Sequence, residues 1–92
     1  MPSHSLSVIG LGKLGSPFAA VMAAKGFQVI GVDKNKKFVA SINNGVAPLQ
    51  EPQLQEFIRK GKSRLRATMH MDEAILNSDI SFIIVPTPSG KD

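Results

Sequence analysis

Cysteine, tryptophan and tyrosine are absent from these 92 residues, and histidine occurs only twice. The missing thiol excludes disulfides, thiolate metal sites and a cysteine nucleophile within this chain. Five phenylalanines make up the whole aromatic complement, which leaves little for stacking on nucleic-acid bases. Long apolar runs are missing too. The richest stretch, FAAVMAAKGFQVIGV, is broken by Lys25, Gly26 and Gln28 and falls short of the roughly 18 consecutive apolar residues that a membrane helix needs. The opening residues MPSHSLSV have neither the basic segment nor the apolar core of a secretion signal, so a cytoplasmic location away from membranes is expected.

What remains has the balance of a globular chain: 42% hydrophobic and 20% charged residues with a mean hydropathy of +0.03. The length suits one small domain and is too short for two. The net charge is +4, and five of the eleven basic residues fall within RKGKSRLR, residues 59–66. Such a run can meet phosphates. Without interleaved aromatics it reads as a solvated turn, and no nucleic-acid partner is expected.

Apolar periodicity divides the chain into alternating elements. Residues 6–9 read as a short buried strand. Leu14, Phe18, Val21 and Met22 recur at helical spacing up to Lys25, with Gly26 as the stop. Residues 27–32, FQVIGV, form a β-branched strand ending at Asp33. A second helix is expected over residues 34–43, with NNG as its terminator. Leu54, Phe57 and Ile58 mark a third, closed by Gly61. RLRATM from Arg64 resembles an edge strand, and Asp72 is placed as the N-cap of a short helix through Leu76. ISFIIVP, residues 80–86, is apolar on both faces, as a central parallel strand is. The expected class is therefore α/β, with a mainly parallel sheet of about four strands.

Gly10, Gly12 and Gly15 fit G-x-G-x-x-G between the first strand and first helix. Each serves a mechanical need: the first a tight turn, the second room for a pyrophosphate to approach the backbone, the third close packing of helix on sheet. Alone the spacing is weak evidence, since glycines also close turns that bind nothing. Here it follows a strand, opens a helix, and is followed by a second strand ending in Asp33, eighteen positions after Gly15. A carboxylate there accepts hydrogen bonds from both adenosine ribose hydroxyls and repels a 2′-phosphate, which favours NAD over NADP. The plain alternative makes Asp33 an N-cap. Lys34, Lys36 and Lys37 lie close enough to suit a 2′-phosphate, although a lysine-rich first turn usually faces solvent. Together these features predict a Rossmann-like, doubly wound fold.

Three further stretches, GVDKNKKFVASINNG, PLQEPQL and FIIVPTPSGKD, resemble the amino-terminal part of the UDP-glucose/GDP-mannose dehydrogenases. The resemblance spans nearly the whole chain. Members of that family oxidise the C6 hydroxyl of a nucleotide sugar to a carboxylate with NAD, through a thioester on a cysteine, in chains of several hundred residues. By this comparison residues 1–92 are the first portion of a truncated cofactor domain, not catalytically competent by itself, and the nucleotide sugar is met by later parts of a homo-oligomeric enzyme. The resemblance implies NAD contacts from Gly10, Leu11, Gly12, Lys13, Leu14 and Gly15, from Asp33, and from Thr87 in VPTP. Many relatives have a lysine or arginine where this chain has Phe38; Lys37 is the candidate substitute. Glu51 and Pro52 match an EP pair to which only a loop-shaping role is given.

Two alternatives stand behind this reading. A 3-hydroxyacid dehydrogenase shares the GLGxxGxPxA turn but lacks the EPxL and VPTP stretches. A non-catalytic dinucleotide sensor would use the same turn and acid to switch a partner.

Overall fold

The computed structural model describes residues 4–84. Four strands, β1 (Ser5–Ile9), β2 (Gln28–Val32), β3 (Leu65–Thr68) and β4 (Ile80–Ile83), form one sheet in the order β3-β2-β1-β4. All three pairings are parallel, with Leu6 opposite both Val29 and Ile80, and Val29 opposite Leu65. The helices are α1 (Gly15–Ala24), α2 (Lys36–Asn43), α3 (Leu54–Lys60) and α4 (Met71–Leu76). Because β1 lies between β2 and β4, the chain first winds one way and then reverses. That reversal opens a crevice at the carboxyl ends of β1 and β4, where ligands of open α/β sheets bind.

Side-chain alternation assigns each face of the sheet. Leu6, Val8 and Val29 pack with Ala19, Ala20, Ala23, Leu54 and Ile58 beneath α1 and α3. Ile30 and Val32 face the other way and meet Ala74 of α4, with Ile9 alongside. A strand covered on both faces has no polar alternation, which is why VIGV reads as continuously apolar. The inward face of α1 consists of Gly15, Ser16, Ala19, Ala20 and Ala23, whereas Leu14 is 64% exposed at its start. Small residues let α1 lie close to its neighbours. A Cβ placed on Gly61, at the end of α3, would come within 2.6 Å of the Ala23 Cβ.

Helix ends follow local chemistry. Gly26 takes φ +112°, and the Gly26 and Phe27 N–H groups donate to the Ala23 and Met22 carbonyls, the Schellman pattern. Gly45, at φ +74°, closes α2 in the same way, with Val46 N–H donating to Ser41 at 2.8 Å.

Several expected boundaries shift. The first helix begins at Gly15 and ends at Ala24, and β2 begins at Gln28. The second helix starts at Lys36, because the Asn35 side chain accepts the Lys37 and Phe38 N–H groups and is its cap. Asp72 is not the cap of α4. His70 occupies that place without a side-chain bond, and Asp72 sits in the first turn, accepting the Glu73 N–H at 2.9 Å. β3 lies at an edge as expected. β4, which reads as a central strand, is the opposite edge of the described sheet, with Ile80 and Ile83 exposed.

Candidate dinucleotide site

An open cleft of about 570 Å³ lies where β1 and β2 end and α1 begins. Gly10, Gly12, Lys13, Leu14 and Gly15 form one wall, Asp33 and Phe38 another, and Ile84 closes the side beyond β4.

The three motif glycines differ in what excludes a side chain. Gly10 has φ +106°, and a Cβ there would run into the Ile84 carbonyl oxygen. A Cβ on Gly15 would collide with the Gly10 carbonyl. Both are required by the protein's own packing. Gly12 is different: nothing among the described residues lies within 4 Å of where its Cβ would be. Internal packing gives no reason for a glycine there, while a ligand approaching the backbone does.

Among the described residues, none caps the amino end of α1 either. It has no side-chain cap and no acidic residue in its first turn. By contrast α2 is capped by Asn35, and α3 and α4 carry Glu56 or Asp72 and Glu73 in their first turns. The N–H groups of Gly12, Lys13 and Leu14 have no acceptor among the described residues. Pro17 fits the first turn because no N–H is needed there. This end of α1 is suited to an anion.

Asp33 is held between the turn and α2. Its Oδ2 accepts the Leu11 N–H at 2.7 Å and its Oδ1 the Asn35 N–H at 2.8 Å. An ionised carboxylate has about four acceptor positions, so both oxygens retain capacity toward the cleft. Leu11 itself is fully buried, its side chain against Gly31, where a Cβ would meet Leu11 Cδ2 at 2.7 Å.

The structure thus brings Gly10, Gly12, Lys13, Leu14, Gly15 and Asp33 to one cleft. Leu11 contributes by folding under it. Lys37 is exposed and off the cleft wall, its N–H donating to Asn35 Oδ1 at 2.9 Å. Thr87 and its flanking prolines lie outside the described residues. Phe38, an inward-facing residue of the second helix that stands where many relatives have a lysine or arginine, and Ile84 are additions to the expected site. Their signal is position: an apolar residue in the first turn after Asp33, and another at the exit of the most apolar strand.

Glu51 has a traceable part, its carbonyl accepting the Leu54 N–H at the start of α3. The basic run is largely engaged locally. Arg59 bonds Glu56, Arg64 Nε donates to the Ala23 carbonyl at 2.8 Å, and Arg66 pairs with Glu73 at 2.9 Å.

A sequence profile described as the UDP-glucose/GDP-mannose dehydrogenase family, NAD binding domain, matches residues 4–92. The chain belongs to the UDP-glucose/GDP-mannose dehydrogenase family. Among curated members, the UDP-glucose 6-dehydrogenase AglM of Haloferax volcanii is 47% identical over 95% of this chain and 20% of its own. The GDP-mannose dehydrogenase of Pseudomonas aeruginosa, solved as a ternary complex, superposes with a TM-score of 0.87 at 41% identity, covering 94% of this chain and 20% of that one. The UDP-glucose dehydrogenase of Pyrobaculum islandicum gives 0.87 at 35% identity, covering 100% and 23%. The chain therefore spans about a fifth of the length of these family members.

Proposed function

We propose that this chain is the amino-terminal portion of the NAD-binding domain of a nucleotide-sugar 6-dehydrogenase, an enzyme oxidising the C6 hydroxyl of a UDP- or GDP-sugar to a carboxylate. The observation that carries the cofactor half is the empty space at Gly12 beside an uncapped, acid-free helix start. The diphosphate would rest on the N–H groups of residues 12–14, and Asp33 would hold the adenosine ribose. When bound, NAD supplies the hydride acceptor; these residues bind and orient its adenosine and diphosphate half. Direct N–H bonds to a charged oxygen are worth roughly 1.5–3 kcal/mol each, against about 0.3–1 kcal/mol for the helix dipole. The glycine turn, more than the field of α1, thus sets affinity. Family membership supports the sugar half of the proposal, as do the relatives' activities. A cytoplasmic, homo-oligomeric enzyme supplying polysaccharide precursors belongs to the same proposal; among the described residues no helix is long and apolar enough to cross a membrane.

Titration calorimetry on the full-length protein tests it. NAD is expected to bind about a hundredfold more tightly than NADP, because a 2′-phosphate against Asp33 is a like-charge contact. Asp33→Ala is expected to weaken NAD at least about tenfold by loss of charge-assisted bonds. Equal affinities in both comparisons would remove the ribose assignment.

A further inference from the structure

Ser16 is fully buried in the first turn of α1 yet grips the turn before it twice. Its hydroxyl donates to the Leu11 carbonyl, and its N–H donates to the Gly12 carbonyl at 3.0 Å. In a planar trans peptide the C=O and the following N–H point in opposite directions. Holding the Leu11 and Gly12 carbonyls toward α1 therefore turns the Gly12 and Lys13 N–H groups away from it, on the side of the cleft that both residues line. Leu11 is fixed from its other side as well, its N–H on Asp33 and its side chain against Gly31.

We infer that Ser16 is a positioning residue for the diphosphate: through the Leu11 carbonyl it aims the Gly12 amide without touching the ligand. The inference rests on the dinucleotide reading given above and adds a residue outside the glycine fingerprint. Alanine at position 16 keeps the helix and its small inward face. It leaves the Leu11 carbonyl without its hydroxyl donor and frees the Leu11–Gly12 peptide to rotate. The ribose grip of Asp33 is not altered by that rotation, so the two halves of the ligand respond differently.

The test compares ADP-ribose with adenosine on the full-length protein carrying Ser16→Ala, Ser16→Thr or Asp33→Ala. Losing one aimed bond to a charged group is expected to weaken ADP-ribose about tenfold in Ser16→Ala. Adenosine affinity is expected to stay within about twofold, since it lacks the diphosphate. Ser16→Thr, which keeps the hydroxyl, restores ADP-ribose binding. Equal weakening of both ligands, or of neither, overturns the inference and leaves Ser16 a packing residue. Should Ser16→Ala fail to fold, Ser16→Cys carries the same comparison with a weaker donor. If the unaltered protein binds neither ligand, or Asp33→Ala changes nothing, the dinucleotide reading itself fails and the inference with it.

Discussion

The two edges of the sheet are built in opposite ways. At β3 the outward backbone of Ala67 is satisfied by one side chain, Asn43, which donates to its carbonyl at 2.9 Å and accepts its N–H at 2.8 Å. The amide of Asn43 stands where a neighbouring strand would be, and Arg66 adds a charge anchored on Glu73. At β4 no such device exists among the described residues. Ile80–Ile83 carries no charge or proline, and Ile80 and Ile83 are exposed. Edges meant to stay free are blunted by charge or by covering groups. β3 meets that description and β4 has the character of a strand awaiting a neighbour.

The largest expected effect is at β4. A solution of this chain alone is expected to associate through that edge, and Ile83→Lys to return it to monomers; light scattering at high concentration reads the difference. A monodisperse unaltered chain would erase the contrast between the edges. Next comes Asn43→Ala, expected to destabilise by about 1–3 kcal/mol, since the N–H and C=O of a buried residue lose their partners. Denaturant unfolding measures it, and a neutral result would mean that water replaces the amide freely. The smallest effect is acid sensitivity. The hydrogen bond from Arg66, and then that from Thr68, hold the Glu73 carboxyl below its ordinary value. A carboxylate with a lowered folded pKa stabilises above its unfolded pKa, and that contribution is lost as pH falls through the folded one. The stability gap between the unaltered chain and Glu73→Gln is thus expected to be small at neutral pH and to close in acid.

Much of this molecule is legible in residues close together in sequence. The glycine fingerprint and Gly26 rest on constraints within a few positions, Asp33 on its place just after the second strand, and the alternation of elements on apolar periodicity, and the elements are found in the expected order with shifted boundaries. What escapes are groups defined by distant partners. Asn43 reads as a helix terminator, and nothing local signals its bond to Ala67, twenty-four residues on. Ser16 escapes for another reason: its partners Leu11 and Gly12 lie only five and four residues back, but the shape of the glycine turn, which composition does not reveal, is what brings the Leu11 carbonyl to its hydroxyl. Leu14 and Phe18 mark the helix by size, whereas the buried face of α1 is its alanine face, because closeness to the sheet matters more there than apolar bulk. Asp72 has the right chemistry for a cap, but α4 begins one residue before it. The chemistry of a cap depends on the backbone at its position, which composition does not reveal.

The tight seating of α1 couples architecture to recognition. With Ala23 against Gly61 and Gly15 against Gly10, there is no spare methyl's width on the underside of the helix. Any enlargement at Ala19, Ala20 or Ala23 would raise its whole axis and with it the amides at its tip. Efforts to toughen this domain by filling its interior would therefore disturb the cleft at the tip of α1, and safer gains lie at the sheet margins.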